Sequence, residues 1–423
     1  GRGEGVCYRR KDGTLNISPP YIAANEPPDP YTQKYFAALN GRIAYFEASR
    51  GCPFSCAFCL SGRCGSVRRF DFSLCCERLL RLANSGTKTI KFVDRTFNAD
   101  LKCAKAYWRF ILNSYGKEIP AGVCFHFEIA GDLLDDEAIN LLAQAPKGAF
   151  QLEIGMQSFN EATLAAVARR TNSKKLQKNI AALLDAANMH IHIDLIAGLP
   201  KESFADFAAS FNIGYKLKAN LLQLGFLKIL HGSPMGENPD KYPCRYSQQP
   251  PYEVLSTPAI SADELRELHI LEDALERFYN SGRFRRTADY CLKQSGLEPF
   301  DFYLQLGRAV PAAVGTSLDD YTAALLAYFS NALAMDKAVV RDLLVCDRLA
   351  SNRAGFLPTC LQVPDPRLRK IKKQLQELYP PRQGIKRAVA FLYSANEAVF
   401  VDYSEPDPVT GQFTLQSFKD FSL

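Results

Sequence analysis

Three cysteines crowd into the stretch "EASRGCPFSCAFC", at Cys52, Cys56 and Cys59. Disulfides do not need such crowding, and a structural zinc site needs four ligands. A 4Fe–4S cube has four irons, usually held by four cysteine thiolates. Three local thiols would leave one iron open, and an open position is what a catalytic metal centre keeps. The amino and carboxylate groups of a methionine-derived molecule could chelate that iron. Gly51, Pro53 and Ser55 let the backbone wrap a cube, and glycine allows it to approach closely. Phe58, just before the third cysteine, could lay its ring against a planar base. The plainer alternatives are a zinc knot, for which Cys64 is near enough to be a fourth ligand, or three unrelated buried thiols.

Such a loop has to be held by something regular. Between residues 42 and 231 apolar, β-branched or aromatic runs alternate with helical stretches. Strands are expected at 42–48, 89–94, 123–130, 150–156, 190–198 and 221–230, mixing continuous apolar runs with alternation, as strands covered by helices do. The intervening "SLCCERLLRLANSG" is expected to start at a capping Ser73 and stop at Gly86. "DDEAINLLAQA" puts Asp135, Asp136 and Glu137 where a helix dipole favours negative charge. Such βα units imply a parallel sheet with right-handed crossovers. Six units fall short of the eight of a full barrel, so an open, partial (β/α)6 barrel is predicted. Chemistry in such folds gathers at the carboxyl ends of the strands, and the cysteine loop follows the first one.

The other strand ends carry polar residues. The second ends in Asp94, Arg95, Thr96 and Asn98, with Asn98 or Asp100 also suited to cap a helix. In the third, His126 and Glu128 share a face; Glu128 suits a cofactor or substrate contact, or an ion pair with Arg95. Asp194 on the fifth also points inward, and Lys228 and His231 close the sixth.

The Cys52-x3-Cys56-x2-Cys59 spacing, with an aromatic before the last cysteine, resembles the signature of the radical S-adenosylmethionine (SAM) superfamily. The resemblance implies a 4Fe–4S cluster whose unique iron binds SAM, and a partial (β/α)6 barrel. "QLEIGMQSFN" resembles the family's "GxQS" segment, which implies SAM contacts from Glu153, Gln157 and Ser158. Arg169 matches a position that can pair with the SAM carboxylate. "HIDLIAGLP" resembles the strand that holds the adenine, implying contacts from Ile196, Gly198 and Leu199. The family resemblance also implies a small-molecule substrate and an electron donor such as flavodoxin or ferredoxin. "KFVDRTFN", "FHFEIAGDLL" and "LQLGFLKIL" extend the likeness to a group of radical SAM proteins with an N-terminal cobalamin-binding domain and a helical C-terminal extension. That implies cobalamin, and methyl transfer, only through a domain not seen in these residues.

Residues 1–40 read as a hairpin turning at Asp12-Gly13 and a proline-rich connector, as at the exit of an upstream domain. Residues 41–231 form the predicted core. A proline-rich, polar stretch at 232–260 then leads to a mainly helical region reaching about residue 378 and a hairpin at 387–404 turning at "SANE". Residues 232–423 form the C-terminal extension, and its helical region after residue 260 is expected to cover the barrel mouth. The chain of 423 residues is 47% hydrophobic and 23% charged, an ordinary globular balance. No apolar run approaches the ~20 residues of a membrane span. A net charge of +6 argues little for nucleic acid, and "RLRKIKKQLQELYPPRQGIKR" reads as a solvated helix face rather than an RNA site. Thirteen cysteines without framework spacing point to a reducing, cytoplasmic setting. Two other functions fit less of this pattern. An RNA methylthiotransferase usually adds a second cluster domain and an RNA-binding module. A non-enzymatic electron-transfer or zinc-stapled binding protein would need only the thiols.

Overall fold

The computed structural model describes residues 5–19, 21, 27–63, the backbone of 64, 66–380 and 384–418. The Cys64 side chain, and with it the expected fourth zinc ligand, lies outside the described residues. Six strands form one parallel sheet in sequence order: β1 (Ile43–Phe46), β2 (Thr89–Phe92), β3 (Cys124–Ile129), β4 (Phe150–Gln157), β5 (His190–Ala197) and β6 (Leu221–Phe226). Helix α1 (Phe72–Ala83) follows β1, α2 (Leu101–Ser114) β2, and α3 (Asp136–Ala143) β3. Helices α4 (Glu161–Ala166) and α5 (Ser173–Asp185) follow β4, and α6 (Phe204–Lys216) follows β5. Among the described residues β1 and β6 do not pair, so the barrel is open. Five of the strands are shorter than expected, while β4 runs one residue longer: β6 stops at Phe226, and Lys228 instead makes a single antiparallel bridge to Glu253.

Period-two geometry sorts these strands into two faces. The helix-facing side is apolar and largely aromatic. Phe46, Phe92, Phe127 and Phe150 follow one another across four strands at centroid distances of 4.9, 4.6 and 5.7 Å, with Tyr107 and Trp108 of α2 laid on them. Burying each such ring contributes about 2 kcal/mol. The inner side carries Lys91, His126, Gln151 and His190 in one register row and Glu128, Glu153 and His192 in the next. So the apolar face fixes the sheet, and the lumen is left polar.

An open barrel has two edges that need covering. At β1, Tyr45 N donates to the Tyr35 hydroxyl at 3.3 Å, and the Tyr31 hydroxyl donates to Tyr45 O at 2.9 Å. At β6, the Asn280 side chain accepts from Leu222 N at 3.0 Å and donates to Leu222 O at 2.9 Å.

One expected cap changes hands and another is decided between its two candidates. Asp71, not Ser73, caps α1 by accepting from Leu74 N, because a cap must lie outside the first turn while Ser73 is already helical. Asp100 caps α2; the Asn98 amide instead bridges Ala130 N and O at 2.8 Å each, tying the loops after β2 and β3.

The extension holds α7 (Ala262–Leu275), α8 (Arg285–Ser295), α9 (Pro299–Ala309), α10 (Leu318–Ala327), α11 (Lys337–Ser351) and α12 (Arg367–Leu378). The expected hairpin follows as β7 (Arg387–Leu392) and β8 (Glu397–Asp402), joined by an unexpected third strand, β9 (Gln416–Phe418). Gly307 lets α9 press on α7: a Cβ there would sit 2.7 Å from Ile270 O. Helix α11 is a polar hub. Its buried Asp347 accepts from Thr287 N at 2.9 Å and Arg286 N at 3.2 Å, capping α8, which lacks a cap of its own.

The helical region after residue 260 reaches the mouth only in part, through α7. Tyr279 and Arg285 bond the carbonyls of Ala219 and Asn220 just before β6, and Asp407 pairs with Lys147 just before β4. These contacts lie at the amino ends of the strands. The mouth is approached instead by the 232–260 segment and the start of α7, near Gly198. No helix among the described residues is long and apolar enough to cross a membrane.

Candidate active site

The cysteine loop is anchored before its first thiol. Asp94, 2% exposed at the end of β2, accepts from Ala48 N at 3.0 Å and Ser49 Oγ at 2.5 Å. Burial pushes its carboxyl up to about 6. Gly51 then turns at a φ of 105°, and a Cβ there would lie 3.3 Å from Ser66 O. Cys52 and Cys56 are buried and Cys59 half-buried, all as free thiols. Cys52 Sγ lies 3.4 Å from Thr96 Oγ1, and Cys59 Sγ accepts from Ser61 N at 3.4 Å. Arg169 Nη1 donates to Cys56 Sγ at 3.8 Å. Burial raises the Cys56 pKa, and the Arg169 guanidinium opposes it by favouring the thiolate. Among the described residues, no three His, Cys, Asp or Glu side chains are grouped to hold a single metal ion. The loop is strapped on both sides: Ala57 N donates to Val167 O at 2.9 Å, and Met235 N to Ala57 O at 3.0 Å.

Beside the thiols opens a cavity of about 200 Å³ at the carboxyl ends of β2 to β5. Of the residues expected there, Glu128, Glu153, Gln157, Arg169 and Asp194 line it, joined by Arg95, Thr96 and Phe54. Arg169 also donates to Gly155 O. Gln157 adopts a left-handed φ of 69°, a conformation that stores strain and recurs at functional sites. Its amide folds over Gly155, where the missing Cβ leaves room. Gln157 Oε1 and Arg169 Nε are buried without a hydrogen-bond partner, the condition of groups that await a polar ligand.

The other expected residues lie off this cavity. Phe58 packs against the core. Ile196 is half-buried and Leu199 fully buried. Gly198 turns at a φ of 84° beneath Val254 and Leu265. Ser158 is buried and its hydroxyl donates to Glu202 Oε1 at 2.5 Å.

The polar wall below the cavity holds unequal carboxylates. Glu153 lies 3.0 Å from His126 Nε2 and 3.3 Å from Lys91 Nζ. The His126 hydrogen bond, outweighing burial and helped by Lys91, holds its carboxyl down at about 2. Glu128 is pushed up by burial and by the charge of Glu153. Its ion-pair partner is Lys91 at 3.8 Å rather than Arg95, because Lys91 shares the inner face while Arg95 lies beyond the strand. His192 Nε2 is 2.9 Å from Asp194 Oδ1, within ion-pair distance but not aligned as a hydrogen bond. Burial works against its charged form, yet Asp194 raises its pKa overall.

Lys91, His192 and Glu202 were not singled out from the sequence. Strand alternation in "TIKFVD" and "HIHIDL" could have found the first two. Glu202 carried no signal: it is 1% exposed, sits in the loop after β5, and meets Ser158 only in the folded chain.

Comparison with known proteins follows the same division of the chain. Residues 46–212 match the radical SAM superfamily, and residues 240–398 match a family described as a protein of unknown function (DUF4080). Among curated proteins, the chain is 26% identical over 221 residues to the ribosomal protein uS12 methylthiotransferase RimO of Desulforudis audaxviator, covering 47% of this chain and 45% of that one. It is 28% identical over 182 residues to the 2-(S-pantetheinyl)-carbapenam-3-carboxylate methyltransferase of Streptantibioticus cattleyicolor, covering 39% and 24%. The chain thus spans less than half the length of these relatives. Among solved structures, it superposes on the radical SAM methyltransferase TsrM of Kitasatospora setae with tryptophan and aza-SAM bound, at a TM-score of 0.49 and 14% identity, over 60% of this chain and 53% of that one. It superposes on the cobalamin-dependent radical SAM enzyme OxsB at 0.47 and 13%, over 88% and 61%.

Proposed function

We propose, from the premise that residues 46–212 match the radical SAM superfamily, that Cys52, Cys56 and Cys59 hold a 4Fe–4S cluster and that SAM fills the adjoining cavity. The observation that carries this reading is the junction at Arg169, whose guanidinium reaches the Cys56 thiol and the Gly155 carbonyl while its Nε remains buried and unpaired at the cavity wall. When bound, the cluster supplies one electron to SAM, whose cleavage yields methionine and a 5′-deoxyadenosyl radical. The chain's own groups position the reactants. Arg169 favours the thiolate of Cys56 and offers a cation to the SAM carboxylate. Gln157 offers its amide to the ribose or amino group. Asp94 holds the thiol loop against β2. Below, Lys91, His126, Glu128, Glu153, His192 and Asp194 present a polar wall to a small-molecule substrate. Residues after 260 brace the barrel from its β6 edge and lower rim, while the 232–260 segment and the start of α7 lie at the mouth.

Both curated relatives are named for moving a methyl or methylthio group, and group transfer to a small molecule is the finer reaction we assign. Cobalamin would enter it only through an additional cobalamin-binding domain, as in the group the sequence resembles. The test is anaerobic reconstitution with iron and sulfide. Near four irons per chain, with 5′-deoxyadenosine released from SAM under dithionite, support the reading. Stoichiometric zinc and intact SAM would end it.

A further inference from the structure

The turn that presents Gln157 does not support itself. Ser158 N donates back to Met156 O at 2.9 Å while Gln157 holds a φ of 69°, the strained form of the γ-turn. The register between β4 and β5 shifts at the same point, between Gly155 and Gln157. A residue held in this region persists only where its surroundings over-determine it. Those surroundings come from the next strand and helix. Ser158 Oγ donates to Glu202 Oε1 at 2.5 Å and accepts from Asn160 N at 3.0 Å. Phe159 N donates to Ser210 Oγ at 3.0 Å, and the two serine hydroxyls lie 3.4 Å apart. Each residue from 158 to 160 is therefore tied into this one network.

The anchor of the network is itself fixed. Glu202 N donates to Leu199 O at 3.3 Å. The next residue, Ser203, caps α6 in a capping box with Asp206, and Ser210 lies further along the same helix. Fold stability does not ask for a carboxyl at this place. Ser158, Glu202 and Ser210 are all buried, and Glu202 Oε2 is buried without a hydrogen-bond partner. An unpaired buried oxygen costs free energy that an apolar side chain would avoid. Choices that break a local rule in this way belong where position matters more than stability.

We infer that Glu202 is a positioning residue: through Ser158 it locks the strained turn that aims the Gln157 amide into the cavity, so the loop after β5 sets a cofactor contact made by β4. The inference rests on the proposed SAM site and deepens it by naming what holds one of its walls. The Gln157 amide lies against Gly155, with its Oε1 buried and unpaired. A turn relaxed to the negative φ that L-residues prefer would carry that amide off the cavity wall.

The test uses the reconstituted full chain and equilibrium dialysis with SAM. Glu202→Ala is expected to raise the SAM Kd about fivefold or more, the size of one lost hydrogen bond, with iron content and circular dichroism unchanged. Glu202→Gln, which keeps an acceptor for the Ser158 hydroxyl, is expected to restore wild-type affinity. Ser158→Ala is expected to repeat the loss without a cavity at Glu202, should the alanine variant there not fold. In a Gln157→Ala background, Glu202→Ala is expected to add nothing, because residues acting through one contact are not additive. Unchanged affinity in Glu202→Ala and Ser158→Ala, an equal loss in Glu202→Gln, or a fully additive loss in the double variant would overturn the inference. A second cycle needs no cofactor. Gln157→Gly removes the cost of a positive φ. It is expected to raise the urea midpoint of the cluster-free chain more in the wild type than in Glu202→Ala, where the turn is free to relax. Equal gains in both backgrounds would also overturn the inference. A wild type that binds no SAM would instead sink the cofactor reading, and this second cycle would still decide the role of Glu202.

Discussion

Glu202 offers a perturbation whose size follows from its surroundings. It is 1% exposed, and burial first, then the nearby charge of Asp206, pushes its carboxyl up to about 8, against the opposing hydrogen bonds of Ser158 and Ser210. The folded chain therefore keeps a proton on Glu202 that the unfolded chain releases near 4.5. A raised folded pKa contributes stability that is fully present below about 4.5, declines as the pH climbs, and is gone above about 8. At roughly 1.4 kcal/mol per pKa unit, the window carries at most on the order of 5 kcal/mol. Glu202→Gln keeps a neutral group of the same shape and cannot ionise. Urea unfolding of the cluster-free protein and of this variant, measured from pH 5 to pH 9, should show the wild type losing stability relative to the variant across that window. Parallel profiles would refute the assignment of a neutral carboxyl. Because Ser158 follows Gln157, SAM affinity of the wild type should also weaken above about pH 8, and that of the variant should not.

Replacing any one of Cys52, Cys56 or Cys59 by alanine should remove most of the iron and all 5′-deoxyadenosine release, read by iron assay and chromatography, with far-ultraviolet circular dichroism unchanged. Arg169→Met should raise the SAM Kd by about tenfold or more, since a charge-assisted hydrogen bond contributes roughly 1.5–3 kcal/mol; equilibrium dialysis on the reconstituted protein measures it. Asp347→Ala should cost about 2 kcal/mol or more in urea unfolding, since it strips the cap from α8 and leaves two backbone donors unpaired, while leaving the iron content alone.

The thiol loop was legible because its signal is local. Three thiols within eight residues, after an apolar run and before a helix, need no tertiary information. Inward alternation exposed Glu128 and Asp194 for the same reason, since the two-residue period of a strand is written into consecutive positions. The cap of α1 was misplaced by two residues because Ser73 and Asp71 are both good cap types, and only the path of the chain chooses between them. The partner of Glu128 was misassigned because Lys91 comes from a neighbouring strand, and register decides which side chains meet.

The sequence by itself determined the thiol loop, the six βα units and the polar inner face, all set by spacing along the chain and by the repeat of each element. Only the folded structure decided that Ser158 would meet Glu202, that Arg169 and Phe54 would divide an inner cavity from an outer groove, and that the extension would brace the lower rim as well as approach the mouth. These depend on contacts between residues distant in sequence, whose energies are settled by packing and burial, and no local pattern encodes them.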